Sequence, residues 1–326
     1  MLLINVSPIL LVLIMMSTAD LVSSINCAIY KSDKEIIFSL PFLVFINPDK
    51  RENLTYAMVD DSGGVTELHI FQQRFIPFSI FCLTQLKTLS IISSKFDIPP
   101  EISRLSSTLK QLTILNLPKP QKTLPAELLM LHNLTMLNLS NCGIEIVSDA
   151  IANLTRLRIL NLKGNKLFGS LPSAIKQLRA LKILDISGNS LINSLDVLNG
   201  STSLRELRAA DCGVDHLPLF LPCLSTLDMS GNKLTSLVGI ETPAIPGWYT
   251  CTGEKYMLST PGMLHSSNLT EFDFSNNKLM TVPEEIYGLQ YLRKINLKNN
   301  QINIQEREWI IGRFRGNYNP ELAIII

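Results

Sequence analysis

Residues 157–167 read LRILNLKGNKL, and residues 181–191 read LKILDISGNSL. In the first copy Leu160 and Leu162 alternate with Ile159 and Asn161, which is the two-residue period of a short strand with one buried face. Apolar residues stand at both ends of each copy, whereas the residues between them differ freely. Two copies at such a short offset predict a structural repeat that contains one strand per unit.

The pattern L-x-x-L-x-L-x-x-N-x-L recurs about ten times along the chain. Asparagine or cysteine occupies its ninth position in most units, where the chain bends away and a buried side chain must satisfy backbone groups that lack partners. We place the first apolar position of each unit at Val65, Leu86, Leu112, Leu134, Leu157, Leu181, Leu204, Leu224, Leu269 and Leu292.

A second phrase follows several strands, as in LPAELLML, LPSAIKQL and VPEEIYGL. Proline costs no hydrogen bond in a first helical turn, and the apolar residues after it face back toward the sheet. This arrangement resembles the leucine-rich-repeat family over residues 65–304. The resemblance implies an α/β fold, a curved solenoid with a parallel sheet on the concave face and helical or irregular segments on the convex side.

The residues outside the repeats fall into four segments that differ in composition. Residues 1–24 hold an apolar run followed by small residues and predict a secretory signal peptide, or else an apolar N-terminal strand or helix. Residues 25–64 predict the N-terminal cap that a solenoid needs, and residues 305–326 a C-terminal cap or tail. Residues 238–267 interrupt the repeats, either as an insertion or as a degenerate repeat.

The interruption is rich in proline, glycine and aromatic residues. Its Trp248, Tyr249 and Tyr256 are candidate anchors for a partner, or alternatively core residues of a degenerate repeat. Cysteine positions in the repeat pattern suggest two disulfides, stated here as a hypothesis. The predicted pairs are Cys27 with Cys82 and Cys223 with Cys251, whereas Cys142 and Cys212 occupy the asparagine position and are expected to stay reduced.

A secreted chain is expected to carry N-glycans at N-x-[ST] sequons. The candidate glycosylation residues are Asn53, Asn133, Asn153, Asn199 and Asn268. No segment reaches the ~20 apolar residues that a membrane-spanning helix needs. We therefore predict a secreted or surface-associated product with no membrane span in this chain.

The sequence contains none of the residue patterns that indicate a catalytic, cofactor or metal site. The four histidines have no metal-ligand spacing, and there is no nucleophile elbow, C-x-x-C pair or dinucleotide fingerprint. We therefore expect neither an enzyme nor a cofactor nor a metal site. The formal net charge of +1 gives no reason to expect a nucleic-acid partner.

Because the sequence has no pattern for a catalytic or metal site, the candidate functional feature is the exposed surface of the repeats. Strand residues that alternate with the buried leucines face solvent on the concave side. The predicted ligand-binding residues are Asn116, Asn138, Asn161, Asp185, Glu206, Arg208, Asp228, Glu271 and Asp273, beside apolar Ile114, Met136, Ile159 and Ile183. Such a face suits an extended protein or peptide with a basic portion near the later strands. Alternatively, the aspartates and asparagines only keep the face soluble.

These observations predict a non-catalytic extracellular module that recognises a protein or peptide. The phrase LFGSLP at 167–172 resembles the repeat of receptor-like ectodomains and polygalacturonase-inhibitor-like proteins. The alternatives are an intracellular scaffold that binds a small GTPase or a phosphatase, a structural matrix component, and a truncated receptor ectodomain.

Overall fold

The computed structural model describes residues 26–49, 51–218, 221–237, 269–287, 289, 291–316 and 322–326. Fifteen strands are assigned in these residues. They are β1 (Phe45–Ile46), β2 (Tyr56–Val59), β3 (Val65–Phe71), β4 (Thr88–Ile92), β5 (Gln111–Leu115), β6 (Met136–Asn138), β7 (Ile159–Asn161), β8 (Phe168–Ser170), β9 (Ile183–Asp185), β10 (Leu191–Ser194), β11 (Glu206–Arg208), β12 (Thr226–Asp228), β13 (Glu271–Asp273), β14 (Lys294–Asn296) and β15 (Ala323–Ile325).

Thirteen of these strands form one sheet, in the order β1-β2-β3-β4-β5-β6-β7-β9-β11-β12-β13-β14-β15, and β8 pairs with β10 beside it. From β3 to β15 every pair of neighbours is parallel, whereas β2 and β3 are antiparallel. Parallel neighbours need a return segment between them, so each strand and its return form one rung. The predicted solenoid is confirmed.

The returns are short. Most are 3₁₀ turns, at Phe78–Cys82, Pro100–Leu105, Leu128–Met130, Asp149–Asn153, Ser173–Gln177 and Asp196–Leu198, with another at Cys27–Ile29 in the N-terminal cap. The α-helices are α1 (Asp33–Phe38), α2 (Glu284–Tyr287) and α3 (Ile304–Gly316). A proline fixes the chain just before or at the start of several 3₁₀ turns, as Pro172 does at Ser173, and the few residues left in each return allow one tight turn.

The core is a set of columns that run through the rungs. Leu160, Leu184, Leu207 and Leu227 are paired in register on neighbouring strands, and each is 0 or 1% exposed. Burying one such side chain stabilises the fold by about 2 kcal/mol. Because each rung packs only on its neighbours, stability accumulates along the array.

One repeat begins three residues earlier than the pattern predicted. Leu112 pairs with Leu137, the second apolar position of the next unit, so the unit begins at Leu109, which is fully buried. Leu109 and Leu112 both fit the first apolar position of the pattern. This rung carries Leu117 instead of asparagine at the ninth position. Without the asparagine the sequence had no mark that fixed the register.

A ladder of amides runs through the bends. Asn189 donates from Nδ2 to the carbonyls of Leu162 and Ile186, at 3.0 and 2.6 Å, and accepts from the N–H of Leu167. Cysteine replaces asparagine in two rungs, where the Sγ of Cys212 donates to the carbonyl of Ile186 at 3.2 Å. Where it is asparagine or cysteine, the ninth position satisfies backbone groups of the bend, as the sequence pattern predicted, and it also ties the rung to the one before it.

The thiols in this ladder, Cys142 and Cys212, are free and buried. Burial raises the pKa of Cys142 to about 11 and that of Cys212 to about 12. A thiolate is the reactive form of cysteine, so both side chains are expected to be inert in the folded protein.

Residues just before the ninth position adopt positive φ in every rung. Gly213, which directly follows the ninth-position residue Cys212, also has a positive φ of +83° and lies against the neighbouring rung, since a Cβ there would meet the carbonyl oxygen of Ser190 at 2.7 Å. Gly169, in the return of another rung, has φ +70° but nothing within 4 Å of its Cβ position. Substitutions at these two glycines therefore distinguish the cost of backbone strain from the cost of a steric clash.

We expect Gly213→Ala to lower the free energy of unfolding by about 3 kcal/mol, since it adds a backbone clash to the strain of positive φ. Gly169→Ala should cost about 1 kcal/mol, from the strain alone. Urea unfolding followed by circular dichroism measures both. Equal costs would show that the contact between Gly213 and Ser190 is not tight.

Both ends of the sheet carry additional structure. At the N-terminal end α1 is capped by the hydroxyl of Ser32, and the Cys27 and Cys82 sulfurs are joined with their Cα atoms 5.4 Å apart. At the C-terminal end Phe314 of α3 is buried against Tyr287, their ring centroids 4.7 Å apart. Beyond α3, β15 adds a further parallel strand to the sheet.

Candidate functional site

The solvent side of the large sheet presents two rows of side chains, in which Asp185 is buried, at 6% exposed, contrary to its predicted exposure. They alternate with the buried leucines along each strand and repeat from rung to rung, about 4.8 Å apart. The first row contains Glu67, Thr88, Gln111, Met136, Ile159, Ile183, Glu206, Thr226, Glu271 and Lys294. The second row contains His69, Ser90, Thr113, Asn138, Asn161, Asp185, Arg208, Asp228, Asp273 and Asn296.

Asn116 and Ile114 are absent from these rows, and their predicted placement is wrong. The register shift in β5 puts Thr113 in the second row, while Ile114 points into the core and is 0% exposed. Asn116 follows the strand, with φ 55°, and its amide accepts from Asn141 at 2.9 Å. It belongs to the column of positive-φ residues at the edge of the sheet.

The middle of the face is apolar and rich in amides. Met136, Ile159 and Ile183 stand in adjacent strands and are each half-buried, although they lie on the solvent side of the sheet. Asn138 and Asn161 stand beside them, and both accept from the hydroxyl of Ser140, at 2.6 and 2.9 Å. This part offers an apolar strip next to a polar one.

Acidic residues dominate the later strands. Asp228 accepts through Oδ1 from the N–H and hydroxyl of Ser230, at 3.0 and 2.7 Å. Asp273 does the same with Ser275 and also accepts from Asn296 through Oδ2 at 2.8 Å. These bonds close the end of each strand, so the aspartates have a structural role in addition to any contact with a ligand.

The same strand-end bond is made by an amide in an earlier rung. Asn138 accepts from the N–H and hydroxyl of Ser140 in the way that Asp228 accepts from Ser230. The bond therefore does not require a carboxylate. The strand-end bonds of Asp228 and Asp273 therefore do not need a negative charge, although the second oxygen of Asp273 also accepts from Asn296.

Arg208 is the one cation in the second row between β3 and β14. It forms an ion pair with Glu206 on the same strand, and half of its side chain is exposed. The neighbouring second-row residues are Asp185 and Asp228. Arg208 therefore neutralises part of the acidic surface and leaves Glu271 and Asp273 as its most negative portion.

The first rung adds an aromatic group to the face. His69 stacks on Tyr56 with ring centroids 5.1 Å apart, and Tyr56 donates its hydroxyl to Glu67 at 2.6 Å. Burial lowers the pKa of His69, so the neutral imidazole is favoured. Burial and the bond to Glu67 raise the pKa of Tyr56 to about 12.

The sequons have different surroundings. Asn53 and Asn153 are exposed, whereas Asn199 is half-buried. Asn133 donates from Nδ2 to the carbonyls of Ser106 and Ser107, at 3.1 and 2.9 Å. A glycan on that nitrogen would have to break these bonds, so Asn133 is the least favourable of the four for modification.

Several predictions fall on residues that the structure does not describe. They concern the signal peptide at 1–24, the interruption at 238–267 with Trp248, Tyr249 and Tyr256, the pairing of Cys223 with Cys251, and the sequon at Asn268. Strand β12 pairs directly with β13 in the sheet. No described strand lies between the two.

Two features are absent from the described part of the chain. None of its helices is both long and apolar enough to cross a membrane. Nor does it contain three His, Cys, Asp or Glu side chains grouped so that they could hold a metal ion.

The repeat unit itself matches a known family model. That model, described as Leucine Rich Repeat, matches residues 133–154, 156–178 and 268–289. These three units are leucine-rich repeats, and the chain has the leucine-rich-repeat fold. Among solved structures it resembles the leucine-rich-repeat protein LIC12759 of Leptospira interrogans, with a TM-score of 0.59 and 27% identity over 80% of this chain and 66% of that one.

Two further comparisons are more distant. The plant peptide hormone receptor RGFR1, solved in complex with RGF2, has a TM-score of 0.51 and 20% identity over 82% of this leucine-rich-repeat chain and 39% of the receptor. That likeness shows the fold alone. The rat volume-regulated anion channel subunit LRRC8D is 26% identical over 73% of this chain, and the match spans 32% of the subunit's length.

Proposed function

We propose that this leucine-rich-repeat protein is a non-catalytic extracellular module that binds a protein or peptide with a basic portion on its concave face. The observation that carries the proposal is the excess charge on β12 and β13. Asp228, Glu271 and Asp273 bring three carboxylates together, and the strand-end bonds there need only an amide. Charge that the fold does not require is available for recognition.

The apolar strip on β6, β7 and β9 supplies the other half of the surface. Methionine and isoleucine side chains on an exposed sheet face can be covered by an apolar segment of the ligand, which contributes affinity, whereas the acidic part selects its charge. About four rung spacings separate Ile159 from Glu271, or roughly 19 Å. An extended peptide covers that distance in about six residues.

The comparisons support this proposal at the level of the fold. A solved neighbour is a peptide hormone receptor in complex with RGF2, so the same architecture serves peptide recognition there. The joined Cys27 and Cys82 and the exposed sequons at Asn53 and Asn153 suit an extracellular location. A second candidate, a repeat unit within a larger membrane protein, is favoured by the likeness to the channel subunit.

Location is tested by expressing the full chain in a eukaryotic cell. We expect it in the medium, with a mass that falls when N-glycans are removed enzymatically and with Cys27 and Cys82 bridged in non-reducing peptide maps. An unglycosylated product that stays in the cytosol would contradict the extracellular part of the proposal. It would favour an intracellular scaffold that uses the same face.

Recognition is tested by selecting displayed random peptides on the folded protein. We expect the enriched peptides to contain lysine or arginine about six residues from an apolar segment. Enrichment of acidic peptides, or of peptides whose binding is unaffected by changes on β12 and β13, would contradict the proposal.

A further inference from the structure

A column of cations runs along the entry edge of the sheet, one residue before the first exposed row. Each rung contributes the residue that follows its first apolar position. In chain order these residues are Thr66, Lys87, Lys110, Thr135, Arg158, Lys182, Arg205, Ser225, Thr270 and Arg293. Five of the six from Lys87 to Arg205 are Lys or Arg, and we call those five the basic stripe.

Backbone hydrogen bonds fix this column. The N–H of Lys110 donates to the carbonyl of Lys87, and the N–H of Lys182 donates to the carbonyl of Arg158, both at 2.8 Å. The same bond links every successive member from Thr66 to Arg293, at 2.7 to 2.9 Å. The side chains are therefore stacked one rung apart, and the stripe from Lys87 to Arg205 is about 24 Å long.

The side chains of the stripe form no ion pairs with the described residues, although the charge of Asp60 is close enough to interact with Lys87. Within the described residues, no carboxylate lies within ion-pairing distance of any of its five side chains. Four of the five are exposed, and Lys182 is half-buried. With a net charge of only +1, the chain concentrates positive charge in a line while its acidic residues lie elsewhere.

The gaps in the column carry hydroxyls. Thr135 donates to the carbonyl of Lys110 at 3.1 Å, and Ser225 donates to that of Arg205 at 2.8 Å. No aromatic or large apolar side chain stands in the column from Thr66 to Arg293. The edge therefore offers charge and polar contacts, without the anchors that a folded protein partner or a stacked base requires.

From this edge we infer that the protein binds a sulfated polysaccharide along the basic stripe. Such a chain is linear, carries anions at regular intervals and has hydroxyls between them, which matches cations on five of six successive rungs and hydroxyls in the gaps. Single-stranded nucleic acid is disfavoured because its bases need stacking platforms. The stripe lies beside the proposed peptide face, so the two ligands occupy different surfaces.

The test uses the full chain and a heparin oligosaccharide of defined length, with binding measured at several salt concentrations. The variant Arg158→Ser, Lys182→Ser, Arg205→Ser removes three cations, and serine already occupies this column at Ser225. We expect it to bind heparin about tenfold or more weakly and with a shallower salt dependence. Binding of a basic peptide to the concave face should not weaken, because the substitutions remove cations and leave the acidic residues of β12 and β13 in place.

A matched control removes the same charge from the opposite edge. Lys166, Lys233 and Lys278 are exposed and follow the ladder asparagines of their rungs. Their triple replacement by serine should leave heparin affinity within about twofold, because surface charges beyond a Debye length are screened. Equal losses in both variants would overturn the inference, since the effect would then follow net charge alone.

Three other polyanions discriminate among ligand classes. Polyglutamate, a single-stranded oligonucleotide and anionic lipid vesicles are compared with heparin at equal salt, and desulfated heparin reports on the sulfates. We expect heparin to bind most tightly and desulfated heparin to lose most of the affinity. If any of the three polyanions binds as tightly as heparin, or if heparin does not bind, the inference is wrong.

Discussion

Replacing Asn232 by alanine is expected to lower the free energy of unfolding by about 4 kcal/mol. Its Nδ2 donates to the carbonyls of Ala209 and Met229, both at 2.8 Å, and its Oδ1 accepts from the N–H groups of Cys212 and Val214, at 3.1 and 3.2 Å. Alanine would leave three backbone groups in a bend without partners, while the Met229 carbonyl would still accept from Asn277 at 3.0 Å. Urea unfolding with an unchanged m-value measures the loss.

Two other substitutions bracket this result. Asn232→Cys should cost less than alanine, because Cys142 and Cys212 bond to the preceding rung from the same position. Asn193→Ala, at an exposed site, should change stability by no more than about 0.5 kcal/mol. A loss at Asn232 no larger than that at Asn193 would show that the ladder does not hold the rungs together.

The second large effect is expected at Phe272, which is 1% exposed and lies 5.2 Å from the ring of Phe274. Phe272→Ala should lower the free energy of unfolding by about 4 kcal/mol, from lost burial and the cavity that remains. The position lies next to the direct junction of β12 and β13. A large effect there would show that the rungs pack tightly across the interruption at 238–267.

Phe272→Leu is the matched control for Phe272→Ala. Phe272 stands in register with Leu227 and Ile295, so the column already accepts aliphatic side chains of that size. Phe272→Leu should therefore cost only about 1 kcal/mol. If alanine and leucine cost the same, the site is not closely packed and the register described for β12 and β13 is in doubt.

Periodicity made most of the fold predictable. Where a rung has asparagine or cysteine at the ninth position, as in the rungs of Asn165 and Cys212, the sequence indicates the strand, the bend and the buried column together. The rung of Leu109 has no such marker, and there the predicted register was wrong by three residues. The returns were predicted as helical or irregular, and their short length makes most of them 3₁₀ turns.

The surfaces were less predictable. The acidic residues of the later strands could be found, because alternation along a strand says which side chains face solvent. That Asp228 also closes its own strand end could not be found, since the bond depends on the geometry of Ser230. The basic stripe was missed because its residues occupy a variable position of the pattern, and only the stacking of rungs shows that they form a line.

Two surfaces of opposite charge therefore run side by side across the rungs. The acidic part of the concave face is proposed to choose a basic ligand, and the basic stripe to hold a sulfated chain along the edge. Each surface can be changed without the other, because an amide can make the strand-end bonds of Asp228 and Asp273 and serine already occupies the column of the stripe at Ser225. Binding to the two surfaces can thus be measured separately.

The central claim is that the concave face recognises a basic ligand through charge that the fold does not need. The most direct test titrates the best selected basic peptide against the wild-type protein and the variant Asp228→Asn, Asp273→Asn, with Glu127→Gln, Glu145→Gln as a control for net charge. We predict equal stability for the wild type and the control, and a loss of about 1 kcal/mol in the asparagine variant because it lacks the acceptor for Asn296. We predict an affinity about tenfold lower for that variant alone. Unchanged affinity of that variant, or an equal loss in the control, would contradict the account.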